Sequence, residues 1–137
     1  MLRLINRCPE YVQGYKEKGL IPGQPVSFHY RAVDGDRFIG EFQLRPEFPE
    51  IVMRDIGNVG YSVRVSEQGK GYGTGILRQG LQIAKERGMD KVLLPINEKN
   101  VVSIHVCEKL GGVPWDRIET YNEAEGHHIK RRYRITL

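Results

Sequence analysis

The stretch Gly60–Gly112, GYSVRVSEQGKGYGTGILRQGLQIAKERGMDKVLLPINEKNVVSIHVCEKLGG, decides the layout of the chain, because glycines punctuate it wherever its hydrophobic period changes. Its start belongs to an alternating segment, Gly57–Val65, that reads as a strand whose glycines hint at a bulge or a close backbone approach. The glycine-rich run Gln68-Gly69-Lys70-Gly71-Tyr72-Gly73-Thr74-Gly75 then leads into a helix of about Gly71–Arg87. There Ile76, Leu77, Leu81 and Ala84 share one side while Arg78, Gln82, Lys85 and Glu86 share the other, and Gly88 closes the helix as a C-terminal cap. Lys91–Ile96 (KVLLPI) is an apolar run suited to the middle of a sheet, with Pro95 marking a local break in pairing. A second helix starts at Asn100, whose side chain can accept from the Ser103 amide, and runs to Leu110 before Gly111-Gly112.

Outward from this block the period is that of strands. Upstream, residues 9–18 read as a short helix ended by Gly19, and two prolines make 21–25 a loop. Val26–Val33 and Arg37–Arg45 form a hairpin around Asp34-Gly35-Asp36, because Asp-Gly supplies the positive φ angles such turns demand. Pro46–Asp55 reads as a loop. Downstream, Val113–Tyr121 and Ile129–Thr136 read as strands joined by the polar turn Asn122–His128. Strands that precede, separate and follow two helices imply an α/β (α+β) domain, a mixed and mostly antiparallel sheet with helices packed on it, spanning residues 1–137 as a single unit.

Composition narrows the class. The 137 residues suffice for one core, and no apolar run approaches the roughly 20 residues of a membrane helix, so the expected location is cytoplasmic, away from any membrane. Cys8 and Cys107 stand far apart with no companion ligand spacing, which argues against a disulfide framework or a metal site. The 21 basic and 17 acidic side chains leave a net charge of +4, much of it in Lys130, Arg131, Arg132 and Arg134. With no aromatic stacking cluster beside it, that run reads as a solvated strand face, and nucleic acid is disfavoured as a partner.

The glycine-rich turn carries the chemistry. A helix N-terminus exposes unpaired N–H groups and about half a positive charge, and glycines let an anion reach that backbone, so a phosphate or pyrophosphate is the natural guest. A mononucleotide P-loop is excluded because Lys70 precedes Gly71 rather than Ser or Thr. A dinucleotide fingerprint is excluded because GxGxGxG falls late in a sheet opened by a hairpin.

The pattern that fits is [Q/R]xxGx[G/A], met by Gln68, Gly71 and Gly73, and it resembles the pyrophosphate-binding turn of the GNAT superfamily of acetyl-CoA-dependent N-acetyltransferases. Asn100-x-x-Ser103 followed by Glu108-Lys109-Leu110-Gly111-Gly112 resembles that family's second cofactor-contacting helix, and GEFQLR upstream and KRRYRI at the end extend the similarity to about residues 26–136. The resemblance implies transfer of an acetyl group from acetyl-CoA, as co-substrate, to an amine by direct attack on the thioester. It implies that amides of Gly69, Lys70, Gly71, Tyr72, Gly73 and Thr74 hold the pyrophosphate, with the Lys70 charge adding attraction. It further implies that the strand Tyr61–Val65 presents backbone groups to the pantetheine arm, with Val63, Arg64 and Val65 in contact and the Val63 amide serving the oxyanion. A bulky residue at Gly71 or Gly73 should then do more harm than a change at Ser62 or Arg64.

Members often place a tyrosine acid where Cys107 stands, which makes Cys107 either a proton donor or a plain buried residue. Glu41, in GEFQL, is the candidate base, with Glu98 a second one. Family members begin with a strand and two helices; here that part looks abbreviated, with no obvious first strand, which allows a homodimer to complete the acceptor site. The amine acceptor is not identified by any residue pattern, and a CoA-binding module with little or no catalysis is the competing reading.

Overall fold

The computed structural model describes residues 1–6 and 26–137; the expected helix 9–18, the loop 21–25 and Cys8 lie outside them. The first correction comes at once. Leu2–Asn6 is a strand, β1, paired antiparallel with β2 (Phe28–Asp34) in the register Leu2↔Asp34 to Asn6↔Tyr30. Five residues carry too little period to declare themselves; what makes them a strand is their partners. Leu2 packs beside Gly75, and its carbonyl accepts from Gln79 Nε2 at 2.7 Å.

The hairpin expected around Asp34-Gly35 is present, β2 pairing with β3 (Arg37–Leu44), and β4 (Val59–Val63) completes a four-stranded antiparallel sheet in the order β1-β2-β3-β4. Part of the segment read as a loop winds into a π-helical turn, Val52–Ile56. The long chain turn after β4 leads through a 3₁₀ turn at Val65–Glu67 into α1 (Tyr72–Glu86). β5 (Lys91–Asn97), α2 (Val101–Lys109), β6 (Val113–Asn122) and β7 (Gly126–Thr136) follow, and the last strands form a second antiparallel sheet in the order β5-β7-β6. Antiparallel strands flanked by helices are thus present as expected, but the sheet comes in two pieces.

Asn58 is where the two pieces meet. It is fully buried, and every polar group of its side chain is used. Its Oδ1 accepts from the Leu93 amide at 2.7 Å, while Nδ2 donates to the carbonyls of Arg45 (2.9 Å) and Glu47 (3.1 Å). Its own amide donates to the Leu93 carbonyl at 3.0 Å. Beyond this point β4 and β5 part company, leaving a gap lined by Val59, Gly60 and Tyr61 on one side and Leu94, Pro95, Ile96 and Asn97 on the other.

One apolar core lies between the sheets and the two helices. Ile76, Leu77 and Ala84 of α1 and Ile104, Val106 and Cys107 of α2 meet Phe42, Leu44, Val92, Leu94, Tyr133 and Ile135. Gly80 lets α1 lie against Phe42: a Cβ there would stand 2.2 Å from the ring. Of the basic run of β7, Arg131 and Arg134 are exposed as a solvated strand face would have them, whereas Lys130 and Arg132 are paired within the chain. Lys130 Nζ reaches Asp55 Oδ1 at 2.9 Å, Arg132 forms a two-pronged pair with Asp116, and Arg131 faces Glu98. Asp55, Glu125 and His128 also converge there, with the Lys130 ammonium set among them. No described helix is long and apolar enough to cross a membrane.

Candidate active site

Two backbone features converge on one cleft. The first is the start of α1. Its N-cap, Gly71, sits at φ +85° and offers no side-chain cap, and no acidic residue occupies the first turn. The Gly75 amide makes the first intrahelical bond, to Gly71 O, so the amides of Tyr72, Gly73 and Thr74 have no partner within the helix. An added Cβ at Gly69 or Gly71 would meet nothing within 4 Å, so the space above this backbone is open. Those two residues also adopt positive φ, which a side chain would strain.

The second feature is the edge of β4. Amide-to-carbonyl bonds from Arg45 to Asn58 and from Arg64 to Ile39 fix which residues of β4 bond to β3. In an antiparallel ladder such pairs recur at every second residue, so Gly60 and Ser62 bond to β3 while Val59, Tyr61 and Val63 turn their N–H and C=O groups the other way, toward the gap. Gln68 Nε2 donates to the Val63 carbonyl at 3.0 Å, tying the glycine turn to that edge.

Between these features lies a cleft of about 540 Å³. Tyr61, Ser62 and Val63 of β4, Gln68, Gly69, Gly71, Tyr72, Gly73, Thr74 and Ser103 line it, together with Glu67, Val102 and Val106, which the sequence reading did not name. A larger hollow of about 660 Å³ on the β6–β7 hairpin holds none of the glycine-turn residues.

Four expected cofactor residues, Arg64, Val65, Lys70 and Asn100, are not among those lining the cleft. Val65 is 85% exposed in the 3₁₀ turn. Arg64 sends its amide to Ile39 and its guanidinium to the Phe38 carbonyl. Asn100 spends its Oδ1 on the Ser103 amide at 3.2 Å, capping α2, and borders the gap between β4 and β5 rather than the cleft. Lys70 lies within the turn, and its ammonium is bound to Glu67 at 3.0 Å.

The candidate catalytic residues fare differently. Cys107 is fully buried, and burial, aided by the Glu108 charge, pushes its thiol up to about 12. Gly112 packs so closely that a Cβ there would stand 2.4 Å from the sulfur. Cys107 is a core residue. Glu98 accepts from Arg117 at 2.7 Å, and that hydrogen bond holds its carboxyl below the usual range. Glu41 borders a recess on the far face of the sheet with Gln43, Gly60, Tyr61 and Ser62.

What sequence reasoning missed is the side chain of Tyr61, a residue it used only for its main chain. Its ring lies against α1 at Gly73, where a Cβ would come within 3.6 Å, and its hydroxyl is close enough to α2 to feel Ser103 and Cys107. Burial raises its pKa, the Ser103 side chain draws it back, and the Cys107 thiol raises it. The cleft, the gap and the far recess all include Tyr61 in their walls. A hydroxyl-bearing aromatic beside Gly60 in mid-strand was the available signal, but strand alternation cannot say what a ring meets across a sheet.

Comparison with known proteins agrees with this geometry. The family model described as "Acetyltransferase (GNAT) domain" matches residues 7–113. A mycothiol acetyltransferase from Streptosporangium roseum is 34% identical over 93 residues, covering 66% of this chain; the match spans only 24% of that relative's length. Among solved structures, a spermidine N-acetyltransferase SpeG chimera from Vibrio cholerae and hSSAT superposes with a TM-score of 0.73 at 14% identity, covering 98% of this chain and 95% of that one. A GCN5-related N-acetyltransferase from Kribbella flavida gives 0.69 at 15% identity, covering 99% and 98%. With an uncapped helix start and an open strand edge facing one cleft, and with the family model spanning most of its length, the chain belongs to the GNAT family of N-acetyltransferases, which use acetyl-CoA to acetylate amines.

Proposed function

We propose that the 540 Å³ cleft holds acetyl-CoA and that the acetyl group passes by direct attack to an amine arriving from the Glu41 side of the sheet. The observation that carries this reading is the set of first-turn amides of α1, without a partner inside the helix, opening beside the outward-facing edge of β4. A diphosphate suits the first and an amide-bearing arm suits the second, because each supplies what the other side lacks: anion for N–H, and donor and acceptor for a bare strand edge. The bound thioester supplies the activated acyl group.

This chain's residues then have separable tasks. Gly71 to Thr74 hold charge with main-chain donors, and the glycines keep side chains out of the way. The Val63 amide, turned away from β3, is a fixed donor for negative charge developing on a carbonyl oxygen. Tyr61 is the proton donor to the departing thiolate: with its pKa raised above the ordinary tyrosine value, it stays protonated throughout the neutral range. Glu41 accepts the ammonium proton from the opposite face. Location in the cytoplasm and self-association as a homodimer complete the reading.

The experiment is a titration of the protein with acetyl-CoA followed by a thiol-release assay over a panel of amines. Saturable binding and turnover on at least one amine are expected. No binding at millimolar acetyl-CoA would overturn the cofactor assignment, and binding without turnover on any amine would overturn the catalytic one.

A further inference from the structure

A carboxylate lines the cleft that the reading above assigns to a diphosphate. Glu67 is 7% exposed, at the end of the 3₁₀ turn that feeds the glycine run. Lys70 Nζ lies 3.0 Å from its Oε2 and Arg37 Nη1 lies 3.5 Å from its Oε1. Both cations are about half exposed, so neither is trapped. Arg37 also donates to the Tyr72 hydroxyl at 3.0 Å, and that hydroxyl donates to Asp34 at 2.7 Å, which brings the cation to the first residue of α1. Lys70 of the turn and Arg37 at Tyr72 are therefore already engaged by an acid of the protein's own.

We infer that Glu67 is a charge counterweight: it holds Lys70 and Arg37 in the free protein, competes with the cofactor's diphosphate for them, and so limits affinity and favours release of CoA after transfer. The physical basis is that a buried carboxylate and a phosphate are alternative partners for one pair of cations and repel each other across the same cleft. The proposal rests on the cofactor reading of the cleft. Its distinct content is that an acidic residue in the binding wall is there to weaken binding.

Glu67→Gln keeps size and removes charge. It should tighten the dissociation constants of CoA and acetyl-CoA several-fold at low salt, with a smaller gain at high salt, and lower KM for acetyl-CoA without raising kcat. Lys70→Gln should weaken binding, and by more in the Glu67→Gln background than in the wild type, because Lys70 is then wholly available to the ligand. A purely structural Glu67–Lys70 pair gives the reverse ordering, since loss of Lys70 would then hurt only where the carboxylate is left unneutralised. Thermal melts check folding, and Glu67→Ala replaces Glu67→Gln if the latter melts early. Unchanged or weaker CoA binding by a folded Glu67 variant, or the reversed cycle, overturns the inference. Failure of the wild type to bind CoA would instead sink the cofactor assignment itself.

Discussion

Gly73→Asp sets helix stability against ligand affinity and so separates them. Gly73 is the second residue of α1, with helical backbone, and an added Cβ meets only ordinary contacts, 3.6 Å to Tyr61 and 3.9 Å to Val63. For the folded protein the change is favourable: it replaces a flexible glycine and places a negative charge on a helix N-terminus, together worth about 0.5–1 kcal/mol. For a bound diphosphate it is adverse, because the carboxylate occupies the same field. One negative charge about 5 Å from another costs about 3 kcal/mol at an effective dielectric of about 20, or roughly two orders of magnitude in affinity. Calorimetric titration with acetyl-CoA, paired with a thermal melt, reads both quantities. The expected result is a dissociation constant up by roughly a hundredfold with Tm unchanged or raised by about 1–4 °C. Gly73→Ala, with bulk but no charge, should lose far less. Affinity within about threefold of wild type in a folded Gly73→Asp protein would refute the placement of the anion at this helix start. Gly71 is a poorer probe, since its φ of +85° makes any side chain strain the backbone.

Four further outcomes are expected. Asn58→Ala should lower stability by about 2–4 kcal/mol in urea unfolding, because it strands the Leu93 amide and two carbonyls in a dry site; a loss under about 1 kcal/mol would mean water replaces the side chain. Gly80→Ala should destabilise by about 1–3 kcal/mol despite alanine's better helix propensity, as the new methyl overlaps the buried Phe42 ring. Tyr61→Phe should cut kcat by roughly 10²-fold or more while leaving the affinity for acetyl-CoA near wild type; an unchanged kcat would remove Tyr61 from the proton path. The fourth concerns alkaline stability. The Cys107 thiol is raised in the folded state to about 12, so its contribution is whole below its ordinary value near 9 and is lost as pH rises toward 12, where the unfolded chain ionises first. Urea midpoints at pH 7 and pH 10.5 should therefore fall more for wild type than for Cys107→Ala, and equal falls would contradict the burial.

How much of this was legible in advance follows from what each feature depends on. The strand, turn, helix, strand and helix of Gly60–Gly112 were readable because each is specified by nearby residues: glycines at the breaks, an apolar stripe on α1, Asn100 capping α2. The open helix start proposed to seat the diphosphate was readable for the same reason, being built from the backbone of one turn. β1 was not, since its identity as a strand comes from β2 and from Leu2 packing at Gly75. Lys70 looked like a free cation because nothing in the sequence says that Glu67 turns back to hold it. Cys107 was weighed as an acid or a plain buried residue because the resemblance puts a tyrosine at its position, and its face of that helix is turned into the core.

The sequence by itself determined the order of strands and helices from β2 onward and the location of the glycine turn, since periodicity, caps and backbone permissiveness act over a few residues. Only the tertiary structure decided that the sheet parts at Asn58, that the edge of β4 looks into the gap, and that Tyr61 lines the cleft while Cys107 is buried in the core. These depend on which residues, distant along the chain, share a hydrogen-bond ladder or a wall, and that is set by packing the whole core at once.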